Sequence, residues 1–237
     1  MEEEEELIRS HSDRAVNAPF YTNHDMARSV GYYPADGGAR TKFALALNLL
    51  MPGNAFLYYG EELGMSGSGK DENKRAPMLW SSDPAAEGMC DSPPGMDQVR
   101  MMYPAFDEQM EDPSSIFSCV RDVIALRKRY PAIACGRTGQ VPELTGRELG
   151  AFTRTMPGEV SVMIVVNASD QEQRADLSLL PEDSAAQAAL SAAASDGKEA
   201  LTLTPYAIAV IGEGDEAWTL INEGCVLPEK KASRRRK

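Results

Sequence analysis

The stretch FLYYGEELGMSGSGKDENKRAPMLW, Phe56 to Trp80, changes character at its fifth residue. Its start extends back to Asn54 as NAFLYYG, a short apolar-aromatic run without alternation that a glycine closes. That pattern predicts a strand buried on both faces. From Gly60 to Pro113 the chain is rich in Gly, Pro, Asp and Met and follows neither the helix nor the strand period. A run of that length inside a domain predicts functional loops. Just upstream, GARTKFALALNLLM (Gly38 to Met51) reads as a helix apolar on most sides, which Pro52-Gly53 stops. Before it, NAPFYTN (Asn17 to Asn23) is a second short apolar run suited to a buried strand. Strand, helix and strand within about 40 residues make a βα unit of a parallel sheet.

The first of these strands runs into Asn23, His24 and Asp25, and His24 is one of only two histidines in the chain. Three consecutive polar groups, one of them acceptor-only and one able to donate from either ring nitrogen, are suited to hold a ligand. A solvated Asx-type turn accounts for the same triplet. Residues 2 to 16 read as a polar helix end or a frayed leader. Downstream, DPSSIFSCVRDVIALRKRY (Asp112 to Tyr130) predicts a helix capped by Ser114 or Asp112, with Pro113 in its first turn. Ile116, Val120, Val123, Ile124 and Arg127 follow helical spacing, and the basic end suits the negative end of the helix dipole.

After Pro131 the style changes. GAFTRT, EVSVMIVVN, QRADLSL, EALTLT and YAIAVIG are short β-type runs divided by turn residues, the pattern of an antiparallel sandwich. The domain boundary is placed near residue 137. SAAQAALSAAAS (Ser184 to Ser195) interrupts the pattern with seven alanines in twelve residues and reads as a helical or disordered insertion.

Composition narrows the function. The chain has 237 residues, 43% hydrophobic and 25% charged, as in a soluble globular protein. Its net charge is -12, and the last eight residues, KKASRRRK, hold six of the 24 basic side chains. Residues 1 to 229 therefore carry 18 basic against 36 acidic groups, a balance of -18. Phosphate binding needs positive surface, so a nucleic-acid groove is excluded. No run reaches the roughly 18 apolar residues that span a bilayer. The acidic start, MEEEEELIR, is unlike a secretory signal, so export is not encoded there, and a longer parent could be cytoplasmic or exported. Cys90, Cys119, Cys135 and Cys225 are scattered without C-x-x-C spacing and read as free thiols rather than a zinc site.

Taken together, FYTNHD and FLYYGEELGMSGSGKDENKRAPMLW closely resemble glycoside hydrolase family 13, the α-amylase and α-glucosidase family. In that family F-x-x-N-H-D ends barrel strand seven, Y-Y-G-E-E-x-G-M marks strand eight, and D-E-N-x-R-x-P-M-x-W follows in the next loop. The helix DPSSIFSCVRDVIALRKRYPAI resembles the last barrel helix, and the β-rich end resembles the family's C-terminal sandwich. The resemblance spans residues 17 to 215. It implies the C-terminal part of a (β/α)8 TIM barrel followed by an antiparallel β-sandwich: residues 1–137 as the partial barrel, 138–223 as the sandwich and 224–237 as a disordered basic tail.

The resemblance also implies chemistry. Asp25 would be the family's transition-state-stabilising carboxylate, gripping the 2- and 3-hydroxyls of the sugar whose bond breaks. His24 would donate to the same hydroxyls, and Asn23 would orient the turn. Arg75 walls the sugar pocket or makes a surface salt bridge. Tyr59, beside Tyr58, offers a stacking face for glucose or packs the strand, and Trp80 divides in the same way. Glu61 and Glu62, on opposite faces of a strand end, take structural roles. The family's nucleophile segment, G-x-R-x-D, and its G-E acid segment do not precede the triplet. The implied protein is thus a C-terminal fragment of a retaining α-glucan or α-glucoside hydrolase, inactive alone. The alternative is a non-catalytic carbohydrate-binding or partner-assembly module derived from the same family. Expected partners are an α-linked glucose oligosaccharide or starch-type glucan and the missing N-terminal part of the barrel, with no nucleic acid and no membrane. No cofactor or metal is expected in this chain, and the missing part of the parent has room for a calcium site.

Overall fold

A computed structural model describes residues 1–12, 14–33, 36–98, 101–193, 199–213 and 218–222, and the expected basic tail lies outside the described residues. Helix α1 (Glu2–His11) opens the chain with four glutamates in its first turn, where the helix dipole favours them. Next come α2 (Ala39–Leu50), α3 (Asp71–Lys74), α4 (Phe106–Glu111), α5 (Ile116–Arg129) and α6 (Pro131–Cys135).

Between these helices the two expected strands lie side by side and parallel. Phe20 and Phe56 form a parallel bridge, the Asn54 amide donates to the Asn17 carbonyl at 2.7 Å, and that of Phe56 to the Pro19 carbonyl at 2.9 Å. Regular pairing is confined to this bridge, which corrects the longer strands expected over 17–23 and 54–60. Two parallel strands without further neighbours have too few ladder bonds to hold extended backbone over six or seven residues. Their side chains still alternate. Tyr21, Ala55 and Leu57 pack toward the helices, whereas Phe20 and Phe56 are each 57% exposed on the other side.

Helices α2 and α5 cover the strand pair through Leu45, Leu49 and Leu50 against Val120, Val123 and Leu126. Arg127 joins them: its Nη1 donates to the Leu49 and Met51 carbonyls at 2.6 and 2.7 Å, and its Nη2 to that of Gly53. One guanidinium thereby satisfies carbonyls in the last turn of α2, at its C-cap Met51 and in the turn just beyond it. Gly53 itself has φ +86, and a Cβ there would collide with the Asn17 carbonyl. Gly53→Ala is therefore expected to lower folding stability in urea denaturation by at least about 2 kcal/mol, the left-handed backbone adding to the collision. A loss under about 0.5 kcal/mol would show that the strand start tolerates displacement.

Two local expectations change. The cap of α5 is Ser115, whose hydroxyl accepts from the Ser118 amide at 3.1 Å, and Pro113 precedes the helix. Asp112 is occupied instead with the Ser114 amide and hydroxyl. The 60–113 region also holds α3, α4 and a 3-10 turn at Glu61–Leu63.

Beyond α6 lie β1 (Arg137–Gln140), β2 (Leu149–Thr155), β3 (Val162–Asn167), β4 (Gln173–Asp176), α7 (Ala185–Ala192), β5 (Ala200–Leu203), β6 (Ile208–Ile211) and β7 (Trp218–Ile221). One antiparallel sheet has the order β1-β2-β3-β6-β7, and β4 and β5 form a second. β3 is buried on both faces because Met163 and Val165 enter the core between the sheets while Val162 and Ile164 meet α2 and α5. β6 divides likewise, Ala209 and Ile211 inward, Ile208 and Val210 outward. The alanine-rich segment is the helix α7, and Ala186, Ala189 and Leu190 fill the inter-sheet core. A second hydrophobic core thus runs without a break from the barrel helices into the sheet.

Candidate active site

The Asn23–Asp25 triplet stands where the first strand ends. Asn23 Oδ1 accepts from the Asp25 amide at 2.9 Å and its carbonyl from the Met26 amide at 3.2 Å, so Asn23 forms the turn itself. That turn frees the next two side chains. His24 and Asp25 are 64% and 70% exposed, with Nε2 3.4 Å from Oδ2. The Asx turn is therefore present: Asn23 shapes it, and the His24 and Asp25 side chains project from it into solvent.

The neighbouring strand end is held from below by Glu61 and Arg28. Glu61 is buried and accepts from the Thr22 hydroxyl, the Ser29 amide at 2.9 Å and the Ser29 hydroxyl, tying both flanks of the triplet to the second strand. Gly60, at φ +85, turns the chain so that Glu61 and Glu62 sit on the 3-10 turn and not on a strand end. Burial pushes the Glu62 carboxyl above the usual carboxylate range. Arg28, fully buried, donates from Nε to the Tyr59 carbonyl at 3.1 Å and from Nη1 to that of Ser66 at 3.3 Å. Its guanidinium carbon lies 5.2 and 4.8 Å from the Tyr58 and Tyr59 ring centroids, a cation–π stack.

The two tyrosines carry the structure onward to α3. Tyr58 donates to the Lys74 carbonyl at 3.0 Å and Tyr59 to that of Ala76 at 2.9 Å, their rings meeting edge to face at 4.8 Å. Tyr59 keeps 38% exposure, so part of its ring remains open. Arg75, between these two anchor points, is 46% exposed in its side chain and bonds Asp71 through the carbonyl at 3.0 Å and a carboxylate oxygen at 3.5 Å. Lys74 reaches back, its Nζ 2.9 Å from the Asp25 carbonyl oxygen and 3.1 Å from Asp71 Oδ1. Asn23, His24, Asp25, Tyr59 and Arg75 are thus brought into one connected region. Trp80 stands apart on the loop beyond, 43% exposed, its ring 5.5 Å edge to face from Phe106. Among the described residues no three His, Cys, Asp or Glu side chains converge as a metal site requires.

Sequence reading missed Arg28 and Lys74. Arg28 follows Asp25 by three residues, a charge next to a buried serine. Lys74 stands between Asp71 and Arg75 in the densely charged run KDENKR, which reads equally well as a solvated turn.

The family model described as alpha amylase, catalytic domain, matches residues 2–136. A second, the C-terminal immunoglobulin-like domain of D-apionate lactonase, matches residues 147–211. Alpha-amylase 3 of Dictyoglomus thermophilum is 29% identical over 178 residues, covering 70% of this chain and 33% of its own length. The glucan 1,6-alpha-glucosidase of Streptococcus dysgalactiae subsp. equisimilis is 29% identical over 199 residues, covering 66% of this chain and 36% of its own length. Among solved structures, Eubacterium rectale Amy13B superposes with a TM-score of 0.76 at 38% identity, covering 89% of this chain and 41% of that one. The chain spans about a third of the length of these two curated relatives.

Proposed function

The chain belongs to the alpha-amylase family of glycoside hydrolases, family 13, and on that premise we propose that residues 1–237 supply the sugar-gripping part of a retaining α-glucosidase or α-amylase site. The observation that carries this reading is the pair His24 and Asp25, projecting from a strand end next to a parallel neighbour that leads to Tyr59 and Arg75. In barrels of this class the active site lies at the C-terminal strand ends.

Retaining glycosidases pass through an oxocarbenium-like transition state between a carboxylate nucleophile and a carboxyl acid/base. Asp25 is neither of these in the proposal. Its two oxygens accept hydrogen bonds from adjacent hydroxyls of the sugar whose bond breaks, and those bonds strengthen as positive charge develops on the ring. His24 donates to the same hydroxyl region, Asn23 fixes the turn, Arg75 bounds the pocket, and the open part of the Tyr59 ring offers an apolar sugar face a surface. The substrate class is an α-linked glucose oligosaccharide or glucan. The nucleophile and acid/base are not among these 237 residues, and in the complete site another part of the barrel brings them opposite Asp25. Phe20 and Phe56, exposed on the side away from the helices, would then face the barrel interior.

The purified chain is expected to show no turnover of maltose, isomaltose or an aryl α-glucoside. Turnover that survives purification and vanishes in Asp25→Ala would contradict the proposal, because the chain would then hold its own nucleophile.

A further inference from the structure

We propose that Lys74 is a positioning residue for Asp25, holding the triplet turn by its main chain so that the carboxylate stays open to the sugar. The inference rests on reading Asp25 as a sugar contact. In the sequence pattern that links this chain to its family, D-E-N-x-R, Lys74 occupies the variable position, so the resemblance assigns it nothing.

The geometry separates the two carboxylates near this ammonium. Lys74 is only 13% exposed in its side chain, while Asp71 is 64% and Asp25 70% exposed. Its Nζ donates to Asp71 Oδ1 at 3.1 Å and to the carbonyl oxygen of Asp25 at 2.9 Å. The Lys74 bond and charge hold the Asp71 carboxyl below the usual carboxylate range, with a smaller contribution from Arg75, so Asp71 remains the charged partner. A lysine placed against a catalytic-type carboxylate would ordinarily pair with it and weaken its grip on neutral hydroxyls. Here Asp71 takes the ion pair, and the ammonium spends a second donor on the Asp25 backbone.

The anchor points are independently fixed. Tyr58 and Tyr59 donate to the carbonyls of Lys74 and Ala76, one on each side of Arg75, and Arg28 stacks beneath both rings while its amide donates to the Gly67 carbonyl at 3.0 Å. Lys74 is therefore a strut between a rigid base and an exposed turn. The strut orients Asp25 without touching its carboxylate.

The test uses the 237-residue chain labelled with 15N and 13C, comparing wild type, Lys74→Met and Lys74→Arg. In Lys74→Met the Asp25 carbonyl carbon should shift upfield, as loss of a charge-assisted bond requires. Solvent exchange of the Asp25 and Met26 amides should quicken about tenfold, with exchange in α5 unchanged. Lys74→Arg, which keeps a cationic donor, should restore the carbonyl shift and most of the protection. A carbonyl shift and exchange rates identical to wild type in Lys74→Met would overturn the proposal. So would changes that Lys74→Arg reproduces in full, since they would then not depend on a cationic donor at this position. These spectra need no substrate, so failure of the sugar reading would leave the strut intact, and failure of the strut would leave the sugar reading open to kinetics.

Discussion

Arg154→Leu is expected to cost about 3–5 kcal/mol of folding stability, the penalty for stripping one partner from a buried ion pair. Arg154 on β2 is fully buried, and its guanidinium joins four segments. Nε donates to the Ala132 and Ile133 carbonyls at 3.3 and 3.1 Å, and Nη2 to that of Gly136 at 2.7 Å. Nη1 donates to the Thr138 hydroxyl and to Glu5 Oε1 at 3.2 Å. Glu5 on α1 also accepts from the Thr138 amide at 2.8 Å. The first helix, the end of the barrel segment and the sandwich edge therefore meet at one cation. Leucine fills much of the volume but takes one donor away from the Glu5 carboxylate and from each of three carbonyls.

A pH dependence follows. Burial pushes the Glu5 carboxyl up, but the Thr138 bonds and Arg154 outweigh it and hold the group below the usual carboxylate range. A depressed folded-state pKa contributes stability above the unfolded value, and that contribution is lost as pH falls through the folded value. Glu5→Gln should therefore flatten the acid side of the stability profile. In Glu5→Leu/Arg154→Leu part of the loss should return, because no charge is then left unpaired. Urea denaturation of the three variants measures this. A loss below about 1 kcal/mol for Arg154→Leu would mean that water reaches the junction.

In a barrel made whole, Asp25→Asn is expected to lower kcat/KM by more than about 100-fold, roughly 3 kcal/mol of transition-state stabilisation. The amide keeps the shape and one acceptor but loses the charge that strengthens both hydroxyl contacts as the ring flattens. Most of the damage should fall on kcat, because those contacts tighten in the transition state more than in the bound substrate. His24→Ala should cost less, since one hydrogen-bond donor is lost and water can replace part of it. Steady-state kinetics with one substrate, beside circular dichroism for folding, separates the two. A folded Asp25→Asn enzyme keeping more than about a tenth of wild-type kcat/KM would leave Asp25 as a turn residue only.

How much of this was legible depended on whether the cause was local. The apolar faces of α2 and α5 follow from their spacing, and β3 and β6 read as unbroken apolar runs because each is buried on both sides. The alanine segment showed its helical propensity but not its place in the inter-sheet core. The parallel pair was legible in position and direction, whereas its extent was not, since ladder length depends on neighbouring strands. Asp112, Ser114 and Ser115 are all competent caps. The choice of Ser115 goes with a tertiary bond, its hydroxyl donating to the Gln109 carbonyl at 2.7 Å. β1, with only Arg137–Gln140, offers too little pattern to register. Glu5 and Arg154 stand 149 positions apart, and no period links them. In the site, Asn23, His24 and Asp25 announced themselves by composition. Arg28 and Lys74 did not, because their roles come from where Gly60 and the two tyrosine hydroxyls place the second strand end.

The central claim is that these residues complete an α-glucosidic site when the rest of a family barrel surrounds them. The direct measurement exchanges this chain for the matching third of the Streptococcus glucan 1,6-alpha-glucosidase and follows isomaltose cleavage by the chimera. The account predicts turnover in the chimera, none in the isolated chain, and loss of turnover in the chimera carrying Asp25→Asn. A folded chimera whose cleavage is indifferent to Asp25 would contradict it.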